Sequence, residues 1–312
     1  MGELDEIRKK LKNRYILFVL IIILTLLFIL VYISKNINVG NSTLVTDLSI
    51  GIIILEFILM VVFTHKLSES HRKLFKSTFV MPALKDLFSN LYYNPSLGIP
   101  YHVIDATNMM YMGDRYHSED YVSGEYKGIK FIQADVHIEE KHESTDSDRN
   151  THTTYVTIFK GRWMIFDFNK NFKANVQISQ KGFGNSKVNR FFGKKENRFK
   201  KVNMESESFN KKFKVFAQNE HDAFYLITPS LMERIEKLAQ NNKGKLLFCF
   251  IDNKLHIGIY GGKDSFEPTS VFRKLNLDKI MHDISDDTRL ITQFVDELNL
   301  DNDLFKKGGV GL

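Results

Sequence analysis

The chain has 312 residues, 43% of them hydrophobic, and a formal net charge of +6. That length accommodates a membrane hairpin plus one soluble unit as readily as two soluble domains, and the charge is compatible with anionic lipid or nucleic acid without deciding between them. The single cysteine, Cys249, excludes an intramolecular disulfide; within the apolar run 246–251 it reads as a buried strand thiol suited to a reducing compartment.

Two apolar blocks precede residue 64. Residues 15–33 carry no charge, with Thr25 and two flanking tyrosines as the polar side chains, and this length spans a bilayer core. The block is too long for a removable signal peptide and no small-residue cleavage site follows it. Residues 44–63 form a second span despite Asp47 and Glu56, each of which costs free energy in hydrocarbon. Residues 34–43, with Gly40 and Asn41, read as a short external turn. Arg8, Lys9, Lys10, Lys12 and Arg14 precede the first span and Lys66, Arg72, Lys73 and Lys76 follow the second, whereas the turn offers only Lys35. The positive-inside rule then expects a multi-pass protein of the cell membrane with its N-terminus and C-terminal domain in the cytoplasm. Glu56 is expected to pair helices or mediate self-association; ion or proton handling is the alternative reading.

After a basic cytoplasmic segment, 1–14, and the hairpin, residues 64–92 read as a juxtamembrane helix, with apolar spacing over 65–91 and a kink or fresh start at Pro82. Residues 93–306 then read as an α+β domain. Strands are expected over 126–138, 151–159 and 162–168, the last two joined by a tight turn at Lys160-Gly161, and again over 174–179, 212–217, 245–251 and 255–260. Asp252-Asn253-Lys254 is a hairpin turn. Thr228-Pro229 supplies an N-cap and a first-turn proline for a helix over 230–241, and Asp286-Asp287-Thr288 is read as opening another over 289–298. The glycine-rich tail, 307–312, is expected to fray. The fold class is therefore α+β: an N-terminal transmembrane helical hairpin, then a β-rich cytoplasmic domain with largely antiparallel strands and a few packed helices.

Several phrases occur in a characteristic order: 113–124 (GDRYHSEDYVSG), Phe159-Lys160-Gly161, 167–172 (DFNKNF), 209–213 (FNKKF) and 226–234 (LITPSLMER). Together they resemble the bacterial domain of unknown function 3137 family over roughly residues 65–265. The resemblance implies two transmembrane helices ahead of this domain. It implies no catalytic, cofactor-binding or metal-binding residue.

Candidate chemistry is sparse. His117, Ser118, Glu119 and Asp120 bring together acid–base ingredients, but adjacent strand residues point to opposite faces, and a loop with Ser118 capping a turn is the plainer reading. His137, His142 and His152 with Glu139, Glu140 and Glu143 lack a recognised ligand spacing, so no metal or cofactor is expected. Residues 181–201 are basic and aromatic: Lys181, Lys187, Arg190, Lys194, Lys195, Arg198, Lys200 and Lys201 surround Phe183, Phe191, Phe192 and Phe199. This composition suits an anionic bilayer, making Lys181, Lys187, Arg190, Phe191, Phe192, Lys194, Lys195, Arg198, Lys200 and Lys201 candidate lipid contacts. A solvated loop with core-packed phenylalanines competes with that reading, and the anchor disfavours nucleic acid. The expected partners are the lipid bilayer and a protein or second copy met through the transmembrane helices. The reading reached is an uncharacterised membrane-tethered binding or scaffold module. The alternatives are a membrane-bound enzyme using Glu119, Asp120 or nearby histidines, and an accessory subunit of a transport or envelope-maintenance assembly.

Overall fold

The computed structural model describes residues 2–35, 42–146, 151–167, 175–183, 199–261, 264–298 and 300. The chain divides into two compact units, Met1–Pro82 with Glu267–Asp283, and Ala83–Phe266 with Ile284–Leu312.

The first unit is built on α1 (Gly2–Lys35) and α2 (Ser42–Phe75). No proline or glycine interrupts residues 3–35, so α1 continues unbroken from the charged N-terminal segment through the apolar block. Glu3 and Asp5 complement the partial positive charge of its first turn. Ion pairs Lys9–Asp5 and Lys10–Glu6, both 2.7 Å and four residues apart, brace its outer face. Both helices are long and apolar enough to cross a membrane. Beyond α2 come a π-helical turn, Lys76–Val80, and α3 (Met81–Leu87). The helix expected over 65–91 therefore differs in two respects. Its irregularity falls just before Pro82, which occupies the first turn of α3 where its missing N–H costs little. Its last expected residues, 89–91, instead belong to β1 (Ser89–Asn94).

The second unit is a nine-stranded sheet in the order β1-β2-β3-β4-β9-β8-β5-β7-β6, with every neighbouring pair antiparallel. The strands after β1 are β2 (Arg115–Tyr126), β3 (Ile129–Thr145), β4 (Thr151–Asp167), β5 (Val176–Gln180), β6 (Lys200–Val202), β7 (Phe213–Ala217), β8 (Lys245–Ile251) and β9 (Lys254–Tyr260). The short helices are α4 (Tyr101–Asp105), α5 (Glu207–Lys212) and α6 (Glu220–Leu226), and the longer ones α7 (Pro229–Asn241) and α8 (Leu277–Leu298). One face of the sheet buries Ala134, Trp163, Ile165, Leu247 and Cys249 beneath Ile99, Ile104, Met109 and Met112. The other face carries Phe248, whose ring meets Phe294 of α8 at 6.5 Å. There α7 and α8 are joined by Lys237–Glu297 at 2.8 Å.

Three strand expectations are corrected. Residue 126 ends β2 instead of opening a strand, because Lys127 and Gly128, with φ of +51° and +80°, turn the chain into β3. The polar residues 139–145 continue β3, because their backbone still pairs with β4 after the apolar face has ended. Lys160-Gly161 is no turn: β4 passes straight through it. Gly161 has φ +155°, and a Cβ there would overlap the Ile259 carbonyl oxygen of β9. The glycine marks a close approach of two backbones inside a sheet. A fourth correction concerns α8, which starts at Leu277 and not at 289, so Asp286, Asp287 and Thr288 lie inside the helix. By contrast, Thr228 caps α7 by accepting the Leu231 N–H at 3.3 Å, and Asp252 and Asn253, at φ +49° and +59°, form the turn between β8 and β9.

Candidate functional site

The hairpin presents large apolar side chains outward: Phe28, Leu48 and Leu24 are 72%, 66% and 65% exposed. Polar groups bond its helices to each other. Thr25 Oγ1 donates to Glu56 Oε1 at 2.7 Å, deep in the apolar blocks. Where those blocks begin and end, Arg14 Nη1 donates to the Phe63 carbonyl at 2.8 Å, and Phe18 meets Phe63 at 6.4 Å.

Below that level the first unit packs tightly. Leu4, Leu11 and Phe75 are buried, and Arg8, also buried, binds Asp5 and donates to the carbonyls of Val271 and Arg273 at 3.0 and 2.9 Å. Glu267 pairs with Arg72 at 2.9 Å and with Lys76 at 3.1 Å. Burial, reinforced by the Arg8 charge, lowers the pKa of His71 and favours the neutral ring. The strap 267–283 is thus held against α1 and α2 by buried charge and hydrogen bonds.

In the second unit the densest polar chemistry is a buried cluster. Arg162 of β4 donates to the Asp287 carbonyl at 2.8 Å and is ion-paired with the Asp287 carboxylate. The second carboxylate oxygen of Asp287 accepts the Phe266 N–H at 3.0 Å. Asp135 of β3 accepts the N–H and the hydroxyl of Ser265, the latter at 2.6 Å. Burial drives the Asp135 pKa up to about 7, against the opposing pull of Arg162 and the Ser265 hydrogen bonds. Asp120, fully buried at a left-handed backbone position beside the β2 bulge, accepts the Tyr93 hydroxyl at 2.7 Å. Such a cluster closes the loop after β9 onto α8. Its acceptors are engaged by the protein itself, which favours a structural clasp over a catalytic acid.

Other reactive groups are equally enclosed. His256, buried and held down to about 4 by desolvation and Lys254, is neutral and accepts the Trp163 indole N–H at 3.2 Å. Burial pushes the Cys249 thiol far up, so it is no nucleophile at neutral pH. Burial likewise raises Tyr116 to about 12 while its hydroxyl donates to the Ile99 carbonyl at 2.5 Å. An open cleft of about 380 Å³ lies over β2, β3 and β4, bordered by Tyr121, Ser123, Ile132 and Ile165 and crossed by the Asp167–Lys254 pair at 2.9 Å.

His117, Ser118, Glu119 and Asp120 lie in β2 and not in a loop. Ser118 accepts the Ile99 N–H at 3.0 Å and donates to the Asp135 carbonyl at 2.7 Å, so it joins segments instead of capping a turn. His137, His142 and His152 each face one carboxylate, Glu139, Glu140 and Asp146 respectively, along the exposed β3–β4 arm. Among the described residues, no group of three or more metal-ligand side chains gathers. Of the basic-aromatic segment, Lys181 is exposed after β5 and Lys200 and Lys201 are exposed on β6 at the sheet edge, where lysines discourage edge-to-edge pairing. Phe183 packs on Phe159 and Tyr260 at 6.3 and 5.5 Å, and Phe199 is buried. Lys187, Arg190, Phe191, Phe192, Lys194, Lys195 and Arg198 lie outside the described residues. Sequence reading gave Asp135, Arg162 and Ser265 no part in a site and took Asp287 only as part of a helix start. The available signal was a charge set between apolar strand neighbours, as in Ala134-Asp135-Val136 and Arg162-Trp163.

Residues 157–300 match the model of the family described as Protein of unknown function (DUF3137). The 113–124 phrase precedes the matched region. No curated protein matches the chain. Among solved structures, the mycobacterial trehalose monomycolate transport factor A, TtfA, aligns at 11% identity over 73% of this chain and 94% of that one, with a TM-score of 0.37. Similarity at that level carries neither fold nor activity across.

Proposed function

We propose that this chain, with a DUF3137 segment preceded by two apolar helices, is a membrane-tethered binding or scaffold module. The observation that carries the reading is the outward apolar surface of the hairpin, Leu24, Phe28 and Leu48 among its most exposed members, which water does not favour and hydrocarbon does. The hairpin spans the bilayer twice. The basic residues around 8–14 and 66–76 hold both chain ends on the cytoplasmic face. The sheet domain then offers its surface to a protein or lipid partner, and the segment from Lys181 to Lys201 contributes lipid contacts. The sealed state of Asp135, His256 and Cys249 supports binding over catalysis.

Topology is tested by a cysteine at Val156, an exposed position on the β3–β4 arm. Maleimide should label it only after the cytoplasmic face is opened, and the buried Cys249 should stay silent. Labelling from outside intact cells would refute the orientation. Extraction in mild detergent should recover a complex or a self-associated species; a lone monomer under every condition would count against a scaffold. Vesicle flotation should weaken when Lys194, Lys195, Lys200 and Lys201 are replaced by glutamine, and unchanged flotation would remove the lipid contact at that segment.

A further inference from the structure

We infer that the strap around 271–281 is a second membrane contact, a short interfacial element that binds the anionic headgroups of the leaflet where the hairpin enters. The inference rests on the membrane-tethered reading above and adds a surface that the sequence did not single out.

The geometry fixes the level of the strap against the spans. Tyr15 is the first residue of the uncharged block of α1, and Arg14 bonds the carbonyl of Phe63, the last residue of the second apolar block. Those residues mark one boundary of the apolar layer. Phe272 lies at that boundary, with its ring 6.0 Å from that of Tyr15, yet it remains 56% exposed. An aromatic ring half open to the surroundings at the end of a transmembrane span is placed as interfacial aromatic residues are. It is also held there, because buried Arg8 grips the carbonyls on either side, at Val271 and Arg273.

The neighbours of Phe272 share this character. Arg273, Lys274 and Lys279 are exposed, with Asp278 as the one acid among residues 271–281. Leu277 and Met281, one helical turn apart at the start of α8, are 43% and 44% exposed, while Ile280 and Ile284 turn inward. Lys274 and Lys9 border a cleft of about 450 Å³ beside Arg8 and Asp5. Exposed apolar side chains interleaved with cations match the boundary between acyl chains and acidic headgroups. Continuity with the spans favours this occupant over a soluble protein.

The test uses the full chain in lipid nanodiscs, made with phosphatidylcholine alone or with added phosphatidylglycerol. Nitroxide labels go on single cysteines introduced as Leu24→Cys, Phe272→Cys and Val156→Cys, with Cys249 buried and unreactive. Collision with oxygen is compared with collision with a water-soluble nickel complex. The expected oxygen-to-nickel ratio is high at 24, low at 156 and intermediate at 272, with a several-fold rise at 272 when phosphatidylglycerol is added. Replacing Arg273, Lys274 and Lys279 together by glutamine should abolish that rise. A 272 label as water-exposed as 156 while 24 stays in lipid overturns the inference and leaves the tether standing. A 272 label shielded from both reagents also overturns it, in favour of a protein contact. Water exposure at 24 would bring down tether and inference together. Because the cysteine removes the ring, Phe272→Trp provides a second reading: brominated lipid should quench its emission above the constant background of buried Trp163, and no added quenching overturns the inference.

Discussion

Asp135 lies directly opposite Arg162 across β3 and β4, yet each side chain bonds a different partner: Asp135 takes Ser265, and Arg162 takes Asp287. The two bonds lie on either side of residues 267–283. Phe266, which donates to Asp287 across 21 positions of sequence, closes the excursion at its neck.

Asp135 and His256 should give opposing acid responses. The Asp135 value of about 7 lies above its ordinary 3.8, so its stabilising contribution is complete below 3.8 and is lost as pH rises through 7. The His256 value of about 4 lies below its ordinary 6.5, so its contribution is complete above 6.5 and is lost as pH falls through 4. Between these limits each contributes a slope of up to about 1.4 kcal/mol per pH unit, with opposite sign. Denaturant unfolding of the detergent-solubilised chain should show His256→Gln losing stability as pH rises and Asp135→Asn gaining it, with the unmodified chain flatter than either. Identical slopes in all three would show that neither group titrates differently on folding.

Asp287→Ala leaves Arg162 buried without its carboxylate and should cost about 3–5 kcal/mol. Adding Arg162→Met to that variant should recover most of the loss, since the uncompensated charge is then gone. A double variant no more stable than Asp287→Ala would show that lost packing, not the stranded charge, sets the cost.

Gly161→Ala should weaken the β4–β9 seam, because the added methyl meets the Ile259 carbonyl oxygen. The backbone conformation alone costs about 1–3 kcal/mol for a residue with a side chain. Thermal unfolding should drop sharply, whereas alanine at Gly128, where a Cβ meets open space, should pay only the positive-φ cost. Equal melting temperatures for the two variants would refute the close-approach account.

Within the hairpin, Thr25→Val removes the donor to Glu56 and should destabilise helix association by about 0.6 kcal/mol, at most about 1.7. Glu56→Gln keeps an acceptor oxygen and should cost less than Glu56→Leu. A double-mutant cycle in bicelles that returns no coupling between positions 25 and 56 would show that the bond seen here adds nothing to pairing.

The elements legible in the sequence were those whose signals are local. Thr228 and Pro229 announce α7 in adjacent positions, Asp252 and Asn253 announce their turn, and the apolar blocks declare themselves by length. The misread elements depended on distant partners. Gly161 resembles a turn until β9 is known to lie against it. Asp286-Asp287-Thr288 resembles a helix cap until Arg162, 125 positions away, is seen to claim Asp287 inside the helix. β2 was hidden because its His, Ser, Glu and Asp residues are polar on both faces, one of them buried against Tyr93. The strap at 271–281 gave no sequence signal at all, since its meaning lies in the grip of Arg8 and the ring of Tyr15.

The absence of any break in α1 has a mechanical consequence. Its 34 residues make a rod about 51 Å long, and the stretch leaving the apolar layer has no joint in which to absorb rotation. On the membrane-tethered reading proposed above, a lean of the first span would swing Leu4 and Arg8 through the same angle, together with the Val271 and Arg273 carbonyls that Arg8 holds.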